Sequence, residues 1–537
     1  MRPLLSCPDR VETQRVRRAG GVAPVRRRPV GARALRAQVV AVMLVASASA
    51  LLAACTSAPT TPPAGRPQAR GAPIFIGHSG RWLTNSDGQV VIVHGLNMVY
   101  KRPPYEPDAA GFGSVAASAL AIDGLDVVRL GVIYSQLEPE PGVISRSYVD
   151  SIARTVGELA RRGVYSLLDF HQDEMSTAFG GEGFPAWSVD TRGLPVRTYV
   201  FPLGYTESAA LDAAFESFWA DRPGPGGVGL QQRYAAAWRY VARRFADDAW
   251  VLGYDLFNEP WLAASSEDQL GAFYSRVIRA IRSVDPRHLI FYEPSVLFDF
   301  GAPTHLPRFS DSNLGMSFHD YCLSDAATHA VACERSERLV IANAVARSAS
   351  TGDALVLSEF GATNDLVDLG RVVADADSRL ISWIEWAYCG CKDPTGTIPP
   401  SIEGLVSNPR LPAGGANVDA AKLAVLAEPY PRLVAGTPSL YSFDRVSHTF
   451  RLRYTTRSPS GRSFAAGSCT AIVIPPVQFP HGYAVTVSGA RVTSASDAGV
   501  LTLAQLNATE QTVSVGIRPA QGGSTREPEL AALNACT

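Results

Sequence analysis

The sequence predicts an α/β protein: a (β/α)8 or TIM barrel followed by a small C-terminal β-sandwich. Three observations predict it. Eight short apolar runs recur between residues 90 and 388, with helical periodicity between most of them. Polar residues gather at the C-terminal ends of those runs, where a barrel builds its sites. After Pro438 the pattern changes to short alternating runs, as in a half-exposed antiparallel sheet.

The elements follow in chain order. Residues 1–54 hold ten Arg against Asp9 and Glu12, a charge of +8. The whole chain carries 49 Lys+Arg and 50 Asp+Glu, so the net −1 leaves −9 on residues 55–537. An acidic body argues against a nucleic-acid partner, because phosphate binding needs a basic face. The basic segment is followed by 18 uncharged residues, Ala37 to Ala54, and then Leu52-Ala53-Ala54-Cys55 ends the run. That order is the layout of a secretory signal. It resembles the bacterial lipoprotein cleavage box, in which Cys55 becomes the lipidated first residue. The other reading is a membrane-spanning helix, since 18 residues just reach across a bilayer. The Thr/Pro/Ala-rich stretch after Cys55 favours a flexible tether over 55–73. The expectation is export, with attachment to the outer face of the cell membrane as a lipoprotein or else secretion.

The barrel is expected over 74–432. Its strands are Val90–Met98, Val127–Ile133, Tyr165–Asp173, Val251–Pro260, Leu289–Ser295, Leu314–Tyr321, Ala354–Ala362 and Leu380–Tyr388. Near-continuous apolar character suits parallel strands covered on both faces. Helices are expected over Val149–Arg162, Leu230–Phe245, Gln269–Val284 and Glu337–Ser348. An open doubly wound sheet is the alternative, but no glycine-rich phosphate turn follows the first strand. Between Asp173 and Leu230 lies an insertion carrying Phe179, Phe184, Trp187, Tyr199, Phe201, Tyr205, Phe215, Phe218 and Trp219. It reads equally as an apolar wall over the site and as a core of its own. The sandwich is expected over 433–537, with strands Ser439–Phe443, Thr449–Thr455, Thr470–Ile474, Ala484–Ser488 and Thr512–Val515.

An exported chain keeps disulfides. Cys322 and Cys333 are close enough to close one loop, and Cys469 and Cys536 are the pair of the C-terminal region. Cys389 and Cys391 are left over, bridged or not. Neither they nor any other group has a metal-ligand spacing, so no metal and no cofactor is expected.

The strand ends carry Asp169-Phe170-His171, Asn258-Glu259-Pro260, Glu293, His319-Asp320-Tyr321, Glu359 and Trp386. Two carboxylates across a barrel mouth can hydrolyse a glycosidic bond with retention. One protonates the leaving oxygen, the other attacks the anomeric carbon, and their separation is about 5–5.5 Å. Arg129 on the second strand can hold Glu359 ionised, and Asn258 can bond a sugar 2-hydroxyl. Glu293 reads first as structural, with a sugar contact as the alternative. Glu385 points towards the helices or pairs with a cation. Trp383 belongs in the core rather than beside Trp386, because three positions along a strand reverse the face.

At these residues the chain resembles glycoside hydrolase family 5, a retaining barrel family. The resemblance implies Glu259 as acid/base and Glu359 as nucleophile, with Arg129, His171, Asn258, His319, Tyr321 and Trp386 in supporting positions. It covers roughly residues 75–430. Gly95-Leu96-Asn97-Met98-Val99-Tyr100-Lys101-Arg102-Pro103-Pro104-Tyr105 is similar to the endoglycoceramidase branch. So are Val128-Arg129-Leu130-Gly131-Val132-Ile133-Tyr134 and Asp169-Phe170-His171-Gln172-Asp173. That branch cuts the β-linkage between a glycan and ceramide and carries a C-terminal sandwich. The resemblance implies Lys101 and Asp169 as holders of the sugar next to ceramide, and a glycosphingolipid as the substrate. The alternatives are a family 5 β-glucanase or β-glucosidase, and a lipoprotein that binds glycan without cutting it.

Overall fold

The computed structural model describes residues 74–322, 329–396, 402–521 and 536. The export signal, the tether and Cys55 lie outside the described residues. Among these residues, no helix is long and apolar enough to cross a membrane.

Eight parallel strands close into a barrel. They are β1 (His94–Met98), β2 (Val127–Ile133), β3 (Tyr165–His171), β4 (Val251–Asp255), β5 (Leu289–Tyr292), β6 (Leu314–Asp320), β7 (Ala354–Phe360) and β8 (Ser382–Glu385). Every residue of β2, β6 and β7 is buried. Apolar character on both faces of the strand is what a helix-covered barrel requires. Between β6 and β7 the register shifts between Leu357 and Glu359, so that Glu359 sits opposite His319. A bulge of this kind re-aims a side chain beside a site.

The surrounding helices follow from their sequences. Leu230–Phe245 buries Tyr234, Trp238, Val241 and Phe245 along one face and ends on Arg243 and Arg244, which suit the negative C-terminus. Glu267–Arg282 opens with a capping box between Ser266 and Gln269.

One expected strand is two. Val90–Val91 pairs antiparallel with Leu83 and Thr84 and with Leu433 and Val434, while His94–Met98 joins the barrel. Both halves are buried, so hydropathy alone shows no break. Two further strands precede it, Gly77–Ser79 and Trp82–Thr84. All three belong to a seven-stranded sheet completed by Tyr430–Val434, Cys469–Val473, Val500–Gln505 and Ala490–Val492. The second sheet holds Thr437–Asp444, Thr449–Thr455, Thr512–Pro519 and Tyr483–Ser488. Residues before the barrel therefore complete the sandwich after it, and the expected boundary at 432/433 falls inside a strand.

The sandwich meets the N-terminal ends of the barrel strands. Arg432 donates to Asp126 at 2.6 Å and to the Gly163 carbonyl at 2.9 Å, just before β2 and β3. Tyr430 donates to the Gly124 carbonyl at 2.9 Å. The opposite end of the barrel stays open. Among the described residues three disulfides are present: Cys322–Cys333, Cys469–Cys536 and, resolving the open pair, Cys389–Cys391.

Candidate active site

The site is built around Arg129, which is wholly buried on β2. Its guanidinium donates to Asp255 at 2.9 Å, Asn258 at 2.9 Å, Glu293 at 2.9 Å and Asn97 at 3.3 Å. It also pairs with Asp169 at 3.0 Å and with Glu359. Burial opposes the charge of Arg129, but the Asp169, Asp255, Glu359 and Glu293 carboxylates outweigh it and hold the guanidinium charged. One cation thus fixes the ends of β1, β2, β3, β4, β5 and β7.

Glu259 stands on a turn just past β4 with φ +46°, a strained backbone for a non-glycine residue. Its surroundings impose that turn. Its N–H donates to Glu293 at 2.8 Å, and Gln172 donates to the Asn258 carbonyl at 2.9 Å and the Glu259 carbonyl at 3.2 Å. Burial raises the Glu259 carboxyl above its ordinary range, and the neighbouring Glu359 adds to the rise, against the pull of His319. His319 Nδ1 donates to Glu259 at 2.9 Å. Burial would lower His319, but Glu293 and Glu359 overcome this and raise it well above an ordinary imidazole. Glu359 accepts from Arg129 and from the Tyr321 hydroxyl at 3.0 Å. One oxygen of Glu259 and one of Glu359 lie within 4.8 Å of each other. That spacing suits a retaining pair and leaves too little room for the water an inverting pair needs.

The two carboxylates line a cavity of about 570 Å³. Part of its wall is polar. Lys101 sits over the Trp386 ring at 4.3 Å, and His171 stacks on that ring at 5.3 Å. Lys101 reaches Asp173 at 2.5 Å, Thr395 at 2.9 Å and Asp393 at 2.9 Å. Trp386 donates to Glu403 at 2.6 Å. Another part is apolar, with Phe201, Tyr205, Trp261, Val296, Leu297, Phe300, Leu369 and Val372, and carries Asp320, Glu337 and Asp368 among them.

The structure divides the expected site residues in two. Lys101, His171, Asn258, Glu259, Tyr321, Glu359 and Trp386 line the cavity. Arg129, Asp169 and His319 are wholly buried and do not. Asp169 faces Arg129 and donates no surface to the cavity; it accepts from His171 Nδ1 at 2.7 Å, and the residue beside Lys101 is Asp173. Asp169 and the Asp173 bond hold His171 charged against its burial, with a pKa of about 10. Asn258 uses its carbonyl on Arg129 and one N–H on the Gln172 carbonyl at 3.0 Å, leaving one N–H for a ligand.

Glu293 is structural, Glu385 pairs with Lys422 at 3.2 Å, and Trp383 is buried in the core. The aromatic insertion proves to be both things expected of it. Phe184, Phe215, Phe218 and Trp219 are buried, with Phe184 and Phe218 packed on Tyr234, while Phe201 and Tyr205 face the cavity. Sequence reasoning missed Asn97, Asp255, Asp393 and Thr395, and it missed Glu182, whose buried carboxyl lies within 4.0 Å of His171. It also missed Glu403. Asn97 and Asp255 carried a signal, as polar residues inside apolar strands. Asp393, Thr395 and Glu403 lie in the chain after β8, which has no pattern to read.

Residues 85–392 match the cellulase family, glycosyl hydrolase family 5, and residues 429–517 match the family 5 C-terminal domain. The chain belongs to glycosyl hydrolase family 5. Endoglycoceramidase I of Rhodococcus hoagii (strain 103S) is 28% identical over 471 residues, covering 83% of this chain and 88% of that protein. Among solved structures, endo-glycoceramidase II from Rhodococcus sp. as a lactosyl-enzyme intermediate is 28% identical, with a TM-score of 0.68 over 82% of this chain and 100% of its own. The same enzyme with ganglioside GM3 is 26% identical, with a TM-score of 0.67 over 82% of this chain and 99% of its own.

Proposed function

We propose that this family 5 hydrolase is a retaining endo-β-glycosidase that releases the whole glycan of a glycosphingolipid from its ceramide. One observation carries the reading. The carboxylate pair lines a cavity whose wall is part hydrogen-bonding, around Lys101 and Trp386, and part apolar, around Tyr205 and Trp261. A glycan joined to ceramide has that division at the bond to be cut. The structures of endo-glycoceramidase II with GM3 and as a lactosyl-enzyme intermediate support it.

Glu359 attacks the anomeric carbon and forms a glycosyl ester, while Glu259 gives its proton to the departing ceramide oxygen. Burial, by raising Glu259, keeps that proton available. A water molecule then gives its proton to Glu259 and attacks the anomeric carbon, breaking its bond to the Glu359 oxygen and freeing the glycan and the Glu359 carboxylate. Arg129 and Tyr321 hold the Glu359 carboxylate. Asp169 orients His171, and His319 positions Glu259. Lys101, His171, Asn258 and Trp386 contact the sugars. Export on the 1–54 signal and a lipid at Cys55 would keep the enzyme beside its substrate.

The test is product analysis by mass. The full chain is incubated with lactosylceramide, a ganglioside, a galactosylceramide-series glycolipid and a cellulose oligomer. Intact oligosaccharide with free ceramide is expected. Glucose from the cellulose oligomer beside untouched glycolipids would move the enzyme to the glucanases.

A further inference from the structure

The apolar part of the cavity holds one acid that the mechanism does not use. Asp320, the last residue of β6, lines the cavity and is 2% exposed. Among the described residues, neither of its carboxyl oxygens has a hydrogen-bond partner. Glu182 is the other carboxyl in that state, and it does not line the cavity. A buried polar group without a partner costs stability, so it calls for an explanation. The nearby cation is engaged elsewhere. Arg371 donates to both oxygens of Glu337, at 2.7 Å and 2.9 Å, and pairs with Asp368. Burial and the Glu337, Asp368 and Asp375 carboxylates raise the Asp320 carboxyl well above its ordinary range, against the pull of Arg371. An uncharged carboxylic acid has an O–H to give and a carbonyl to accept with.

The position of Asp320 says which part of a substrate it meets. His319 turns to Glu259. One residue on, Asp320 turns to the other face of the strand, towards helices His329–Thr351 and Leu366–Ser378, which carry Glu337 and Asp368. Phe360 is its partner in register on β7, and Leu369 and Val372 of the second helix line the same cavity.

We infer that Asp320 reads a hydroxyl carried on the hydrocarbon of the lipid, and so makes the enzyme selective for hydroxylated glycosphingolipids. The inference rests on the ceramide reading of the cavity. An apolar wall takes plain hydrocarbon chains much alike. A hydroxyl is what an uncharged acid set in that wall can tell apart, since it accepts the acid proton and donates to the carbonyl. A site built to bond a substrate hydroxyl rejects the analogue that lacks it, because its own buried group is then left unpaired. That hydroxyl lies away from the bond to be cut, because Asp320 faces away from Glu259. A 2-hydroxyacyl chain and a 4-hydroxysphinganine base each carry one so placed.

The experiment gives the full chain a mixture of four lactosyl lipids in the same detergent micelles. They are lactosylceramide with an unsubstituted acyl chain, its 2-hydroxyacyl form, its 4-hydroxysphinganine form, and lactosylsphingosine with a free amine. The released lipids differ in mass, and their initial ratios give the ratios of kcat/KM whatever fraction of the protein is folded. At least one hydroxylated form should be released about tenfold faster than the unsubstituted one, as for one hydrogen bond that only that substrate makes. Asp320→Leu should bring this ratio to about one. Asp320→Asn, which keeps a donor and an acceptor, should retain most of it. Equal release of hydroxylated and unsubstituted forms by the unaltered chain, or a preference that survives Asp320→Leu, would overturn the inference and leave the ceramide reading standing. A preference for lactosylsphingosine that Asp320→Leu removes would assign the carboxyl to an amine and overturn it as well. If none of the four loses its lactose, the ceramide reading fails and the inference falls with it.

Discussion

His319 and His94 are both wholly buried histidines at barrel strand positions, one at the open end and one at the end covered by the sandwich. His319 lies among three carboxylates, Glu259, Glu293 and Glu359, which hold it as a cation. His94 is stacked between Trp383 at 4.1 Å and Tyr430 at 4.0 Å, and burial lowers it well below an ordinary imidazole. The carboxyl beside its ring, Asp377 at 3.5 Å, is itself pushed up to about 7 by burial. The same side chain is therefore charged where the barrel works and neutral where the barrel is braced. Neighbours decide which, and burial alone does not.

Four groups of measurements would break or sharpen that contrast. The largest effect is at the carboxylates. Glu259→Gln and Glu359→Gln should each cost about a thousandfold or more in turnover, as expected for a proton donor and a nucleophile, while circular dichroism stays native. Azide should rescue Glu259→Ala with a β-glycosyl azide and Glu359→Ala with an α-glycosyl azide.

The histidines come next. His319→Phe should lower kcat about a hundredfold by removing the cation among the carboxylates. His94→Phe should leave kcat unchanged and cost roughly 1–3 kcal/mol of stability through the lost contact to Tyr441, read by denaturant unfolding. The pH dependence of stability should differ in sign as well. His94 binds its proton more tightly unfolded than folded, so it lowers stability as pH drops below about 6.5. His319 is raised on folding, so its contribution is complete below about 6.5 and is lost as pH climbs through its folded value.

A smaller effect is expected in the apolar wall. Phe201→Ser should raise KM about tenfold for a ceramide-linked substrate and leave a soluble aryl lactoside unaffected, because only the former buries hydrocarbon there. The smallest effect is a displacement of the pH profile. A general acid must be protonated to act, so activity falls as pH rises through the Glu259 pKa. Burial raises that pKa, and the alkaline limb should lie above the ordinary carboxyl range. With an activated leaving group, Glu259→Gln should remove the limb.

Much of this was legible beforehand, for physical reasons. Barrel strands announce themselves by unbroken burial, and a strand end is where a Glu or His must have a purpose. That is how Glu259, Glu359, His171 and His319 stood out. What could not be read depends on long-range pairing. Val90–Val91 and His94–Met98 look like one strand, and only their partners separate them. Asp169 and Asp173 lie in one motif, but the fold sends the first to Arg129 and the second to Lys101. The aromatic insertion gave two readings because both hold, Phe218 for one and Phe201 for the other.

The central claim is that Glu359 carries the glycan between the two chemical steps. The direct measurement is to treat the enzyme with an activated 2-deoxy-2-fluoro-β-lactoside, digest it and map the label by mass spectrometry. The label should sit on Glu359 at one equivalent per chain, and activity should return as it slowly hydrolyses. Label on another residue, or full inactivation with none on Glu359, would contradict the account.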